Sequence, residues 1–249
     1  MSKRVIATIE ARMGSSRFPG KTLKTLHGKT LLEWTVHRLM AAKRVDDIVV
    51  ATTDNLADDA IAELCIEKNI NYFRGSEEDV LKRVTDAAKM MAADVIVQSG
   101  ADCPLYDPDI VDELLNIYLA NNYHYVCNDF TEGYPKGVNV HVFSFDTLTK
   151  IEKLATSAGD RENVVTYIWD HQDKFTIFNL SPPAELNRPD IRITVDYPED
   201  IVFVNELLNR LDRGNFRTID IVRLLHNNST LMDINKDCKM KRKSVAYYK

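Results

Sequence analysis

Between Val5 and Thr22 the chain gathers three cations, Arg12, Arg17 and Lys21, among the small residues Ala11, Gly14, Ser15, Ser16 and Gly20. Small residues let main-chain N–H groups approach a ligand closely and serine adds donors without bulk, so this loop suits a polyanion such as a triphosphate. The apolar run Val5 to Ile9 before it reads as a buried strand that empties into the loop. Two acidic loops follow apolar runs further on, one with Asp102 after 94–98 and one opening at Asp196 after 191–195. In an open parallel sheet, ligands bind beyond the carboxyl ends of the strands, which puts Asp102 on the same rim as Arg12 and Lys21.

The stretch Gly14 to Thr22 comes close to a P-loop, but five residues separate Gly14 from Gly20 where the motif has four. Pro19 also removes a donor where a phosphate wrap is tightest. A P-loop phosphotransferase is therefore disfavoured.

The elements that must position these residues alternate. Apolar residues at helical spacing predict helices over 30–43, 55–68 and from Glu77 to about Met91. Between them lie the strands Ile48 to Thr52, Tyr72-Phe73 and Asp94 to Gln98, with no tight hairpin expected in the first half. Pro108 opens a helix to about Asn121. Such alternation indicates βαβ units, an α/β fold and a mainly parallel sheet. From about 123 to 180 the pattern loosens into an excursion of antiparallel strands, including the alternating Val138 to Phe145, expected to cover the side where a second substrate sits. A helix over 160–170, strands Phe175 to Phe178 and Ile191 to Val195, and helices near 198–211 and 218–227 complete one domain, 1–235. A basic tail, 236–249, carries Lys239, Lys241, Arg242 and Lys243.

Composition narrows the function classes. A net charge of −5 argues against broad nucleic-acid binding, and no apolar run is long enough to span a membrane. The N-terminal apolar run is too short for a signal peptide, so a cytoplasmic location is expected. Cys65, Cys103, Cys127 and Cys238 form no CxxC pair and are expected to be reduced. Trp34 and Trp169 read as core.

Ala11-Arg12-Met13-Gly14-Ser15-Ser16-Arg17-Phe18-Pro19-Gly20-Lys21 closely resembles the cytidylyltransferase group of sugar nucleotidyltransferases. The nearest type is the spore-coat polysaccharide protein F, and beyond it stand the acylneuraminate and 3-deoxy-octulosonate cytidylyltransferases. The resemblance continues in order through Phe73 to Leu81, Asp102-Cys103-Pro104-Leu105, Tyr134-Pro135-x-Gly137, Arg161-Glu162 and Thr194 to Asp200, over about residues 4–210.

It implies a Rossmann-like sheet of the nucleotide-diphospho-sugar transferase type with a small antiparallel extension. It also implies attack of an acceptor oxygen, usually of an acidic sugar, on the α-phosphorus of CTP with release of pyrophosphate. On this resemblance Arg12 and Lys21 hold phosphates, helped by Ala11, Gly14, Ser15, Ser16 and Arg17, while Arg74 and Ser76 lie near the base and ribose. Asp102 and Asp196 match the family's Mg²⁺ ligands, and hard carboxylate oxygens suit that ion. Arg12, Lys21 and Asp102 are the expected catalytic residues. Tyr134, Gly137, Asn139, His141, Arg161 and Glu162 are expected on the acceptor side. Members often dimerise, so a homodimer is expected.

Two departures fall in the acceptor half: His141-Val142-Phe143 stands where relatives have Glu-Val-Phe, and Arg161-Glu162-Asn163 where they have Arg-Glu-His. A transferase using another nucleoside triphosphate, and a nucleotide-binding protein without turnover, share the same cradle.

Overall fold

The computed structural model describes residues 3–212 and 215–239. Strand β1 (Val5–Glu10) is buried along nearly its whole length. Val5, Ala7 and Ile9 pack into one core and Ile6 into another, as the period-two alternation of a strand covered on both faces requires. Beside it lie β4 (Asp47–Thr53), β5 (Asn71–Gly75) and β6 (Val95–Gly100), all parallel. Strand β7 (Tyr125–Cys127) and β8 (His141–Ser144) extend the sheet, and β9 (Ile177–Asn179) ends it, in the order β5-β4-β1-β6-β8-β7-β9. Strand β8 runs antiparallel to β6 and β7, while β9 is parallel to β7.

The first core holds α1 (Leu31–Met40), α2 (Asp59–Glu67), α4 (Pro108–Ala120), α8 (Pro198–Arg210) and α9 (Thr218–Asn227). The second holds α3 (Val80–Met90), α5 (Phe145–Leu154) and α7 (Thr166–Asp170). Local chemistry fixes several ends. Thr30 and Glu33 close a capping box on α1, and Asp107 accepts the Asp109 amide at the start of α4. The chain builds outward from β1 through β4 to β5 and then returns to place β6 on the other side of β1. Their two carboxyl ends therefore flank a topological switch point. No helix among the described residues is long and apolar enough to cross a membrane.

Four expectations need correction. The first half does contain a tight hairpin, β2 (Thr25–Leu26) with β3 (Lys29–Thr30), turned by His27 and Gly28, both at positive φ. The helix expected over 160–170 is two, α6 (Ala158–Glu162) and α7, because extended Asn163 uses its side chain to accept the Val165 amide. Residues 191–195 form no strand: they cross loop ends beyond the sheet, with one bridge from Arg192 to Lys136 and the Val195 amide donating to the Asp102 carbonyl. The excursion over 123–180 is only partly antiparallel and joins the main sheet. Trp34 and Trp169 are core residues, and among the described residues no disulfide joins Cys65, Cys103, Cys127 or Cys238. Of the basic tail, Lys241, Arg242 and Lys243 lie outside the described residues.

Candidate active site

The loop after β1 is held from below. Asp58, 2% exposed, accepts the Met13 amide at 2.6 Å and the Thr53 hydroxyl. The Ser15 and Gly20 amides both donate to the Met13 carbonyl, and Gly20 sits at φ 71°. The turn Lys21–Leu23 that follows delivers the lysine side chain inward. Lys21 Nζ donates to the Val195 carbonyl at 2.7 Å, Asp196 Oδ1 at 2.9 Å and Asp102 Oδ2 at 3.0 Å. Burial opposes its charge, but the two carboxylates outweigh that and hold the ammonium above the usual lysine value.

Asp196 pairs with three cations. Its Oδ1 also accepts from Arg17 at 2.7 Å, and its Oδ2 accepts from Arg192 at 2.9 Å. Burial pushes the carboxyl up; Lys21, Arg192 and Arg17 reverse this and leave it below the ordinary aspartate value. Arg192 is itself clamped by Asp200, which also accepts the Asp196 and Tyr197 amides. Asp196 is therefore not the cap of α8 and faces the cleft. Asp102 is less enclosed, its side chain 36% exposed.

Two cavities meet here. One, of about 320 Å³, is lined by Ala11, Arg12, Ser15, Ser16, Lys21 and Arg83 among others. The second, of about 290 Å³, is lined by Gln98, Asn139, His141, Asn163 and Thr194 among others. Glu10, Arg17, Gly100, Asp102 and Asp196 line both and form the partition. The first cavity has four cations, Arg12, Arg17, Lys21 and Arg83, facing four carboxylates, Glu10, Asp102, Glu162 and Asp196.

The structure thus brings together Ala11, Arg12, Ser15, Ser16, Arg17, Lys21, Asp102, Glu162 and Asp196 around one cavity, and Gly137, Asn139 and His141 around the other. Gly14 lies beside Glu77, which also pairs with Arg12 at 3.3 Å. Other expected residues are engaged elsewhere. Arg74 bonds the Thr53 and Asn55 carbonyls and Asp59. The Ser76 hydroxyl accepts the Asp79 amide. Tyr134 is 4% exposed and its hydroxyl is pushed up to about 12 by burial. Arg161 turns to Asp79 and Glu152.

Sequence reading missed Glu10, Gln98, Arg83, Asp58 and Asp129. Gln98 donates to Glu10 at 2.6 Å, and Arg83, 3% exposed, donates to the Ala51 carbonyl at 3.3 Å. Polar residues at the last turns of apolar buried strands were the available signal for Glu10 and Gln98. Behind His141 stand Tyr125 Oη at 2.5 Å and Asp129 Oδ1 at 3.5 Å, with Trp169 donating to Tyr125. That network is joined only by folding and leaves no local motif.

A family model described as cytidylyltransferase matches residues 6–233. Protein MJ1063 of Methanocaldococcus jannaschii is 38% identical over 238 residues, covering 96% of this chain and 97% of its own length. The spore coat polysaccharide biosynthesis protein SpsF of Bacillus subtilis is 30% identical over 232 residues, 90% of this chain and 95% of SpsF. A cytidylyltransferase structure from Leptospira borgpetersenii superposes with a TM-score of 0.89 at 28% identity, over 97% of this chain and all of that one.

Proposed function

The chain belongs to the cytidylyltransferase family and is a nucleotidyltransferase. From that premise we propose that it moves CMP from CTP to an oxygen of an acidic sugar or related acid, with Mg²⁺ and release of pyrophosphate, in cytoplasmic synthesis of surface polysaccharide or glycoconjugate. The observation that carries this reading is the partition shared by the two cavities, with Arg17, Asp102 and Asp196 on it. A nucleotide in the cationic cavity and an acceptor in the polar one would meet there, so alignment supplies much of the catalysis.

Arg12, Arg17 and Lys21 would bind the phosphates, with Gly14, Ser15 and Ser16 donating. Arg83 would add a buried cation. Asn139, His141, Asn163 and Gln98 would hold acceptor hydroxyls, since amides and imidazole both donate and accept. The equal count of cations and carboxylates leaves a triphosphate without net positive charge from the protein. A divalent cation, when bound, would supply that charge beside the phosphates. Asp102 fits it, with hard oxygens and a partly exposed side chain. Asp196 fits by chemistry, although both its oxygens already take protein donors. The acidic acceptor follows the resemblance to acylneuraminate and 3-deoxy-octulosonate cytidylyltransferases, and Arg17 is the cation shared with the acceptor cavity.

The test is pyrophosphate release over the four nucleoside triphosphates and a library of sugar acids with Mg²⁺. Release with CTP and one class of acid is expected. Equal release with another triphosphate would overturn the cytidylyl assignment, and release with every acceptor, or with water alone, would overturn the acceptor assignment.

A further inference from the structure

His141 lines the cavity read as the acceptor's, with its side chain 6% exposed. Strand pairing brings it there: its register partners are Gln98 on β6 and Cys127 on β7, so the three share one face of the sheet. Two residues after Cys127 comes Asp129, whose side chain is 2% exposed and whose Oδ1 lies 3.5 Å from His141 Nδ1. The Tyr125 hydroxyl is 2.5 Å from the same nitrogen and accepts the Trp169 indole N–H at 3.2 Å. Asn128 braces this corner, accepting the Val140 amide at 2.8 Å and donating to the Val138 carbonyl at 3.0 Å.

Charge decides which ring nitrogen carries the proton. A carboxylate only accepts, so a bare Nδ1 lone pair would face the buried Asp129 anion, whereas an Nδ1–H is attracted to it and has the Tyr125 oxygen within reach. The Tyr125 hydroxyl is also hydrogen-bonded with the Cys127 sulfur, which gives its own proton a destination other than the ring. Burial pushes that hydroxyl well above its ordinary value and the Cys127 thiol up to about 12, so neither adds an anion behind the imidazole. With Nδ1 protonated, the neutral ring keeps its lone pair on Nε2. The carboxylates that line this cavity are engaged: Glu10 accepts from Gln98, Asp102 from Lys21, and Asp196 from Lys21, Arg17 and Arg192. Such donors weaken them as bases. Asp129 and His141 thus stand as the acid and histidine of a catalytic triad, with the acceptor hydroxyl in the nucleophile's place. We infer that His141 is the general base of the transfer and that Asp129 positions it. Nε2 takes the hydroxyl proton while the acceptor oxygen's electron pair forms the bond to the α-phosphorus. The bond from that phosphorus to the bridging oxygen breaks, and its electron pair leaves with pyrophosphate. The imidazolium, steadied by Asp129, then gives its proton to water. This rests on the reading of the cavity as the acceptor's.

Two measurements on the full chain test it. The first needs no substrate: long-range proton–nitrogen correlation spectra of histidine-labelled protein, taken above the pH at which the ring loses its charge, should show His141 protonated on Nδ1 and bare on Nε2. The opposite tautomer would overturn the inference. The second is the pH profile of kcat/KM for the acceptor with CTP. The wild-type profile should fall on the acid side as His141 takes up a proton, and His141→Gln should lose about 10²-fold together with that acid limb. Asp129→Asn, close to it in shape, should lower kcat at least about tenfold with the KM for CTP within about twofold, and should move the acid limb to lower pH because the anion behind the ring is gone. A limb that survives His141→Gln, or stays in place in folded Asp129→Asn, would overturn the inference. Circular dichroism checks folding; should Asp129→Asn not fold, the tautomer and the His141→Gln profile decide. Failure of transfer with every acid while the Nδ1–H tautomer stands would count against the acceptor reading, whereas the reverse tautomer counts against the base alone.

Discussion

Asp58 holds the loop after β1 from below. At 2% exposure it accepts the Met13 amide and the Thr53 hydroxyl, so the loop backbone is pinned one residue before Gly14. Asp58→Ala strands two buried donors and should cost about 1–3 kcal/mol. With the loop slackened, the KM for CTP should rise about tenfold with a smaller change in kcat, as expected for weakened positioning of a bound group. Steady-state kinetics beside thermal melting separates the two effects; an unchanged KM would mean the loop keeps its shape without this anchor. His141 belongs to the other cavity. His141→Gln keeps a donor and an acceptor but loses the imidazole that Tyr125 and Asp129 orient. It should raise the acceptor KM, or lower turnover, by about tenfold or more while CTP affinity stays within about twofold. Equal effects on both substrates would remove His141 from the acceptor side. Neither anchor was legible from sequence: Asp58 sits in an ordinary helix start, and Asp129 is brought to His141 by strand pairing. The cations of the opening loop were legible because they are adjacent in the chain.

Helix α6 holds Arg161 outside the linings of both cavities. Arg161 was expected beside the acceptor, but it donates to Asp79 at 2.9 Å and to Glu152 at 3.1 Å, tying α6 to the first turn of α3 and to the end of α5. Asp79 in turn caps α3 by accepting the Lys82 amide at 3.0 Å. Arg161→Ala should therefore destabilise the fold by about 1–2 kcal/mol. The pH dependence has a fixed sign. Burial pushes Asp79 up, but Arg161 and the Lys82 amide outweigh it, so its folded pKa lies below the ordinary 3.8. Its contribution is complete above that value and is lost as pH falls through the lower folded pKa. The melting-temperature gap between wild type and Arg161→Ala should be widest near neutrality and close below about pH 4. A gap that does not shrink as the pH is lowered below 3.8 would show that packing, not the ion pair, carries the latch. Its neighbour Glu162 lines the cavity that Arg12 and Lys21 also line, so one five-residue helix carries both a structural latch and a cavity residue. At this scale, elements with strong periodicity were legible, while 191–195 failed as a strand because apolar alternation also describes a segment packed across loop ends.

The whole molecule divides its candidate site between distant parts of the chain: the cationic loop comes from the first 22 residues, Asp102 from the middle, and Asp196 from a segment bridged to the excursion through Arg192 and Lys136. The fold class was legible because each βαβ unit is local; the junction between the two halves was not, because it depends on one close approach. That approach occurs at Gly137. Its φ is +115°, and a Cβ there would lie 2.7 Å from the Thr194 amide nitrogen and 2.8 Å from the Ile193 carbonyl carbon. Both atoms are backbone and cannot rotate aside, and the conformation itself disfavours an L side chain. Gly137→Ala should thus push 191–196 away from the excursion, moving Asp196 relative to Asp102, which the Val195 amide and Thr194 hydroxyl now hold at 2.8 and 3.1 Å through its carbonyl. The expected cost is about 2–4 kcal/mol, a fall of several degrees in Tm for a domain of this size. Turnover should fall more steeply than nucleotide affinity, because the opening loop is anchored separately by Asp58 while the partition is not. A variant that melts with the wild type and turns over normally would mean that the two halves of the site are joined by something other than this contact.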